Sequence, residues 1–226
     1  MAEMSVAVLA GRLGVTQRRA NQIVASGQIV ARRTDSGAWL VDVDSADAYM
    51  RTRRTTRGIS TDAAWALLFM LSNRPVDWIG ESTRARLRRR IRAHHAELLA
   101  KEVAARTHTY RYRAANLTLA GDGLIFTGRS AVEALDTDLL PDRGRLYGYV
   151  PADSTVDAWA NDHFMVPDAA GTVFLFANTI PAVGADGGLP NAVVAADLAI
   201  SADAREREAG VEALEEMRVR WMSTTE

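Results

Sequence analysis

The chain has 226 residues, 48% of them hydrophobic and 24% charged, the make-up of a globular protein with enough apolar side chain for a sizeable core. It contains no cysteine, which excludes disulfides and thiolate metal sites, and no apolar run reaches the roughly 18 residues a membrane span needs. The net charge of −1 hides a division: residues 1–113 carry 20 Lys and Arg against 10 Asp and Glu, whereas residues 114–226 carry 7 against 18. A basic half joined to an acidic half is expected where one end meets nucleic acid and the other does not. Met1–Ala10 lacks the basic start and long apolar stretch of a signal peptide, so a cytoplasmic location is expected.

Val6, Val8, Leu9 and Leu13 place apolar side chains along one side of a short helix, which Gly14 breaks. Thr16 is positioned to cap a second helix, Gln17–Ser26, and Gly27 to end it. On that second helix Ala20, Ile23 and Val24 fall together and should pack inward. Arg18 and Gln22 lie opposite beside Ala25, flanked by Gln17, Arg19, Asn21 and Ser26. Arg, Gln and Asn carry the forked donors and acceptors that match base edges in a major groove, although the same composition suits a solvated helix face. Gln28–Thr34 and Ala38–Val41 are strand candidates joined by the turn signal Asp35-Ser36-Gly37, with Arg32 and Arg33 just before the tip. Ser45 is placed to cap a short helix, Ala46–Arg51.

This order, with Gly27–Arg33 as Gly-Gln-Ile-Val-Ala-Arg-Arg, then Trp39–Val41 and a helix ending Ala48-Tyr49-Met50, resembles the excisionase-like and MerR-like winged helix-turn-helix group over about the first fifty residues. The resemblance implies a DNA-reading head. Arg51–Gly58 follows as a linker with four arginines and no apolar side chain, suited to a phosphate backbone or to a solvated hinge.

Ser60 and Thr61 offer caps for a helix through Leu71 that is apolar on most sides. Asn73–Glu81 reads as a loop, and Ser82 as the cap of one long helix through about Arg106 with Leu87, Ile91, Leu98 and Val103 inward. Its outer line of Arg84, Arg86, Arg88, Arg89, Arg90 and Arg92 has no acidic residue interleaved; contact with phosphate, contact with a protein and plain solvation all remain open. His94 and His95 sit on the same helix without a third ligand at metal spacing.

From Thr107 the texture becomes strand-like. His108–Arg113, Leu117–Leu119, Leu124–Thr127, Leu146–Val150, Phe164–Val166 and Thr172–Phe176 are strand candidates, with a hairpin-like turn across Ala120–Gly123. Short helices are expected at Ala131–Leu135 after Ser130 and at Ser154–Ala160, and longer ones at Asn191–Ile200 and from Ala204 to about Trp221. The last has a buried line of Val211, Leu214, Met217 and Trp221 and a negative exterior of Glu206, Glu208, Glu212, Glu215 and Glu216.

No catalytic set emerges. The glycine-rich Gly184–Gly188 lacks the lysine of a phosphate-binding loop, His163 beside Asp162 has no nucleophile in a local motif, and Asp197 has no paired acid. A hydrogen-bonded buried role is the expectation for Asp197.

The whole order, including Ser60–Leu68 (Ser-Thr-Asp-Ala-Ala-Trp-Ala-Leu-Leu) and Asn191–Ala209, resembles antitoxins of the AbiEi type over most of the chain, with a head nearer the excisionase-like pattern. That resemblance implies a transcriptional autorepressor paired with a nucleotidyltransferase toxin. The expected fold class is α+β: an N-terminal winged helix-turn-helix with its linker over 1–58, a helical connector over 59–106, and an acidic mixed α+β partner-binding domain over 107–226. The expected DNA-binding residues are Gln17, Arg18, Arg19, Asn21, Gln22, Arg32, Arg33, Arg53 and Arg54. The expected partners are double-stranded operator DNA and a cognate toxin protein; no membrane, cofactor, metal or catalytic residue is expected, and a homodimer is open. Two other readings are a ligand-sensing regulator and a nucleic-acid-processing enzyme.

Overall fold

The computed structural model describes residues 2–34, 37–52, 59–180 and 188–224. The first element is a strand absent from the sequence reading, β1 (Glu3–Ser5). Ser5 ends it and caps α1 (Val6–Leu13) by accepting the Val8 amide at 3.3 Å. Gly14 turns the chain at φ +62°, a conformation that costs an L side chain energy but not glycine. Thr16 then caps α2 (Gln17–Ala25) through the Arg19 amide. The hairpin strands β2 (Ala31–Arg33) and β3 (Trp39–Asp42) are antiparallel, and β1 adds to the other edge of β3.

α3 (Val43–Thr52) starts earlier than expected. Ser45 is not its cap: the Asp42 carboxylate accepts the Ser45 amide at 2.7 Å, while the Ser45 hydroxyl accepts the Val30 amide from across the head. Leu9, Leu13, Ala20, Ile23, Val24, Ile29 and Val41 close a core belonging to this part of the chain. Val8, expected within it, is 53% exposed.

The rest is built on one large core. α4 (Thr61–Leu71), capped by Ser60, is buried on nearly every side, as its run of apolar residues requires. The expected long helix is two: α5 (Glu81–Ala93) and α6 (Ala96–Val103), followed by a 3-10 turn, Ala104–Arg106. The chain opens at His94 into extended backbone. This break changes the inner line, so that Leu99 is buried and Leu98 exposed.

The five-stranded sheet is ordered β5 (Ile125–Phe126), β6 (Leu146–Tyr149), β8 (Val173–Phe176), β4 (Thr109–Arg113), β7 (Val166–Pro167), with only β6 and β8 parallel. Leu117–Leu119, expected as a strand, lies in a short helix α7 (Leu117–Ala120), because the Asn116 side chain accepts the amides of Thr118 and Leu119 and caps it. Ser130 accepts the Tyr147 amide instead of capping, and a 3-10 stretch runs from Gly128 to Ala134. α8 (Val156–Asp162) bridges β6 to β7, and Phe164, expected in a strand, is at φ +54° and 82% exposed.

Alternation along β8 sets the two layers: Phe174 and Phe176 face the helices with Tyr147 and Tyr149, and Val173 and Leu175 face α8 with Tyr112. α9 (Asn191–Ala199) and α10 (Ala204–Thr224) complete the helical layer. α4, α5, α6, α9 and α10 all contribute to one core with the sheet, so a boundary between residues 106 and 107 would cut through it.

A buried polar knot ties this layer to the sheet. Asp197 of α9 receives the Arg106 guanidinium, the Thr127 hydroxyl at 2.6 Å and the Tyr149 hydroxyl at 2.9 Å. Arg106 also lies 5.0 Å over the Trp65 ring. Burial pushes the Tyr149 hydroxyl well above its ordinary pKa, and Asp197 acts in the same direction. The expected hydrogen-bonded role of Asp197 is the one it has.

Candidate nucleic-acid interface

α2 owes its position to two local devices, the left-handed glycine before it and the threonine cap, and to its inner face. Ala20, Ile23 and Val24 are buried against α1 and the hairpin. That orientation leaves Gln17, Arg18, Asn21, Gln22 and Ala25 together lining one shallow exposed concavity. Arg19 flanks it, donating to the Gln22 side-chain oxygen at 3.4 Å, and the Asn21 amide donates to the Gln17 carbonyl at 3.1 Å. Arg18 has no ion-pair or hydrogen-bond partner among the described residues. The helix carries no acidic residue, and its N-terminus adds partial positive charge on the same side.

The hairpin arginines are more constrained. Arg32 is forked onto Glu3 of β1 at 2.7 and 2.8 Å, and that hydrogen bond holds the Glu3 carboxyl below its ordinary pKa. Arg33 is exposed and stacks 4.7 Å over Trp39. Strand β1 brings Glu3 to Arg32 from 29 positions away, and nothing in the local sequence signals it. Arg53, Arg54 and Arg57, with Asp35 and Ser36 of the hairpin turn, lie outside the described residues.

The arginine line of α5 is less uniform than its sequence. Arg84 and Arg88 both pair with Glu81, and Arg90 pairs with Glu102 of α6. Arg86, Arg89 and Arg92 have no carboxylate partner among the described residues, and Arg92 lies 5.4 Å over Trp221. His94 contacts Glu102 at 3.3 Å. Among the described residues no group of three or more His, Asp or Glu side chains could hold a metal ion, and no helix is long and apolar enough to cross a membrane. The glycine-rich Gly184–Gly187 lies outside the described residues.

Chemically, the α2 face offers one open guanidinium and several amide donors and acceptors on an exposed, acid-free helix face beside a short hairpin. Such a face can enter a groove and read hydrogen-bonding edges. No family model, curated protein or solved structure matches this chain.

Proposed function

We propose that this protein is a sequence-specific DNA-binding transcriptional repressor whose first fifty residues act as a winged helix-turn-helix, with α2 as the recognition helix in the major groove. The observation that carries the reading is the outer face of α2: Gln17, Arg18, Asn21 and Gln22 stand side by side around the small Ala25. Side chains of these types make the bidentate contacts that distinguish bases, and a small residue lets the helix backbone approach the groove floor. Arg33 of the hairpin would meet phosphates directly. Arg32 would do so in competition with Glu3.

The resemblance to AbiEi-type antitoxins supports the fuller reading that the protein represses its own operon and holds a toxin protein. The excess of acidic over basic residues across 114–226 supports placing that partner on the C-terminal part, since a polyanion is repelled there and a basic protein attracted.

The test is selection of a preferred duplex from random sequence, then fluorescence anisotropy with that duplex and a scrambled one. Arg18→Ala and Gln22→Ala should each cost about 1–3 kcal/mol on the selected site and far less on the scrambled one. Equal losses on both duplexes would remove the recognition-helix assignment.

A further inference from the structure

A second concave feature lies away from α2. It is a groove of about 1230 Å3 between α6 and α10. On α10 it is lined from Ala204 to Arg220, a stretch of about 24 Å of helix, whereas α6 contributes only Glu97 and Lys101. Its apolar strip includes Ile200 and Val211 and ends in Val219, which is 52% exposed.

Five carboxylates and three cations border this strip. Glu97 is taken by Lys101 and Glu215 by Arg218, while Arg207 donates to the Ser201 and Ala202 carbonyls. Glu208, Glu212 and Glu216 are exposed and have no cationic partner among the described residues. Their four-residue spacing sets one carboxylate per turn, about 6 Å apart, over the middle half of the strip, and the exposed Arg220 continues the same line at its C-terminal end.

We propose that this groove docks a basic amphipathic helix of a partner protein, packed along α10 beside α6. An apolar strip edged over its middle turns by these three carboxylates is the complement of a helix whose apolar face is edged by Lys or Arg at i and i+4. A second copy of this chain fits worse in either arrangement. A symmetric contact through α10 would set its carboxylates against themselves. The exposed face of α5 supplies cations at Arg86 and Arg89 but only Ser82 and Ala93 along the same line, with no apolar row to cover Val211 and Val219.

The test uses the intact protein and an 18-residue peptide with Leu at i, i+3, i+4 and i+7 and Lys on the flanks. A scrambled peptide of the same composition is the control. The amphipathic peptide should bind at least tenfold more tightly than the scrambled one. The triple variant Glu208→Gln, Glu212→Gln, Glu216→Gln should weaken binding at least tenfold and flatten its salt dependence. Val219→Asp should weaken it with the circular-dichroism spectrum unchanged. Equal binding of the two peptides, or wild-type affinity in the triple variant, would overturn the proposal. So would a wild-type dimer that Val219→Asp dissolves, which would give the groove to a second copy. The proposal rests on the reading of the C-terminal part as the partner-holding part, and co-purification with the neighbouring gene product separates the two. A wild type that retains no such product overturns that reading and the groove with it. A triple variant that retains the product as the wild type does overturns the groove alone.

Discussion

At the scale of single residues, the chain uses its arginines in three different ways, and the difference lies in what each one touches. Arg18 is open to a ligand, Arg32 is already forked onto a carboxylate, and Arg106 is fully buried against Asp197. Burial works against the charge of Arg106, but Asp197 and Tyr149 together outweigh it and its pKa is raised, so the guanidinium stays charged. A buried pair of this kind contributes little net stability compared with an apolar pair, yet removing one partner strands the other. Asp197→Asn should therefore cost about 3–5 kcal/mol, because Arg106 keeps its charge without a counter-charge and Thr127 and Tyr149 share a neutral acceptor. Chemical denaturation of the two proteins measures this, and an unchanged midpoint would mean that the knot is dispensable.

At the scale of elements, the break between α5 and α6 is held from outside. Glu215 of α10 accepts the Ala96 amide at 2.9 Å, one of the amides that α6 cannot satisfy within itself. Arg218, bound to Glu215, donates at 3.1 Å to the Ile91 carbonyl near the end of α5. The Arg218 hydrogen bond holds the Glu215 carboxyl below its ordinary value of 4.5. A carboxyl lowered in the folded chain adds stability above its unfolded pKa and loses it as the pH falls through the folded one. Glu215→Ala should cost about 1–3 kcal/mol at neutral pH by leaving the amide and Arg218 unmatched. The gap between the variant and the wild type should narrow below pH 4.5, which thermal melts across an acid series would record. The α9–α10 contact depends on a different device. A Cβ on Gly210 would fall against the Ala199 nitrogen and 2.7 Å from the Ala195 carbonyl oxygen, both backbone atoms. Gly210→Ala gains about 1 kcal/mol of helix propensity but forces the two helices apart, and overpacking of this type costs about 1–3 kcal/mol. The expected net result is a lower melting temperature, against the usual direction for a glycine-to-alanine change within a helix.

At the scale of the molecule, two cores have different owners. The core around Leu9, Ile23 and Val41 is made from residues 4–46 alone. The larger one takes Trp65 and Leu68 from α4, Leu87 and Ile91 from α5 and Leu99 from α6 together with Leu198, Leu214 and the sheet aromatics. A fragment of residues 107–226 lacks the first group and would expose the apolar faces of α9 and α10. It should be unfolded or aggregated, whereas 59–226 should give cooperative unfolding and dispersed amide resonances. A folded, cooperative 107–226 would show that α4–α6 are an accessory layer.

The sequence by itself determined the elements whose causes are local. Gly14, Thr16 and Ser60 mark a turn and two caps within four residues of what they act on, and the buried triplet Ala20, Ile23 and Val24 follows from helical period alone. The candidate DNA face was legible for the same reason, since packing one side of α2 fixes which residues are left on the other. What only the tertiary structure decided depends on partners far away in the chain. Glu3 reaches Arg32 across 29 positions, Glu215 opens α6 across 119, and Asp197 gathers Arg106 across 91. A side chain that satisfies a helix end or a buried charge from such a distance leaves no trace in the periodicity around its target. An unbroken apolar period from Ser82 to Arg106 therefore reads as one helix, although the fold makes two.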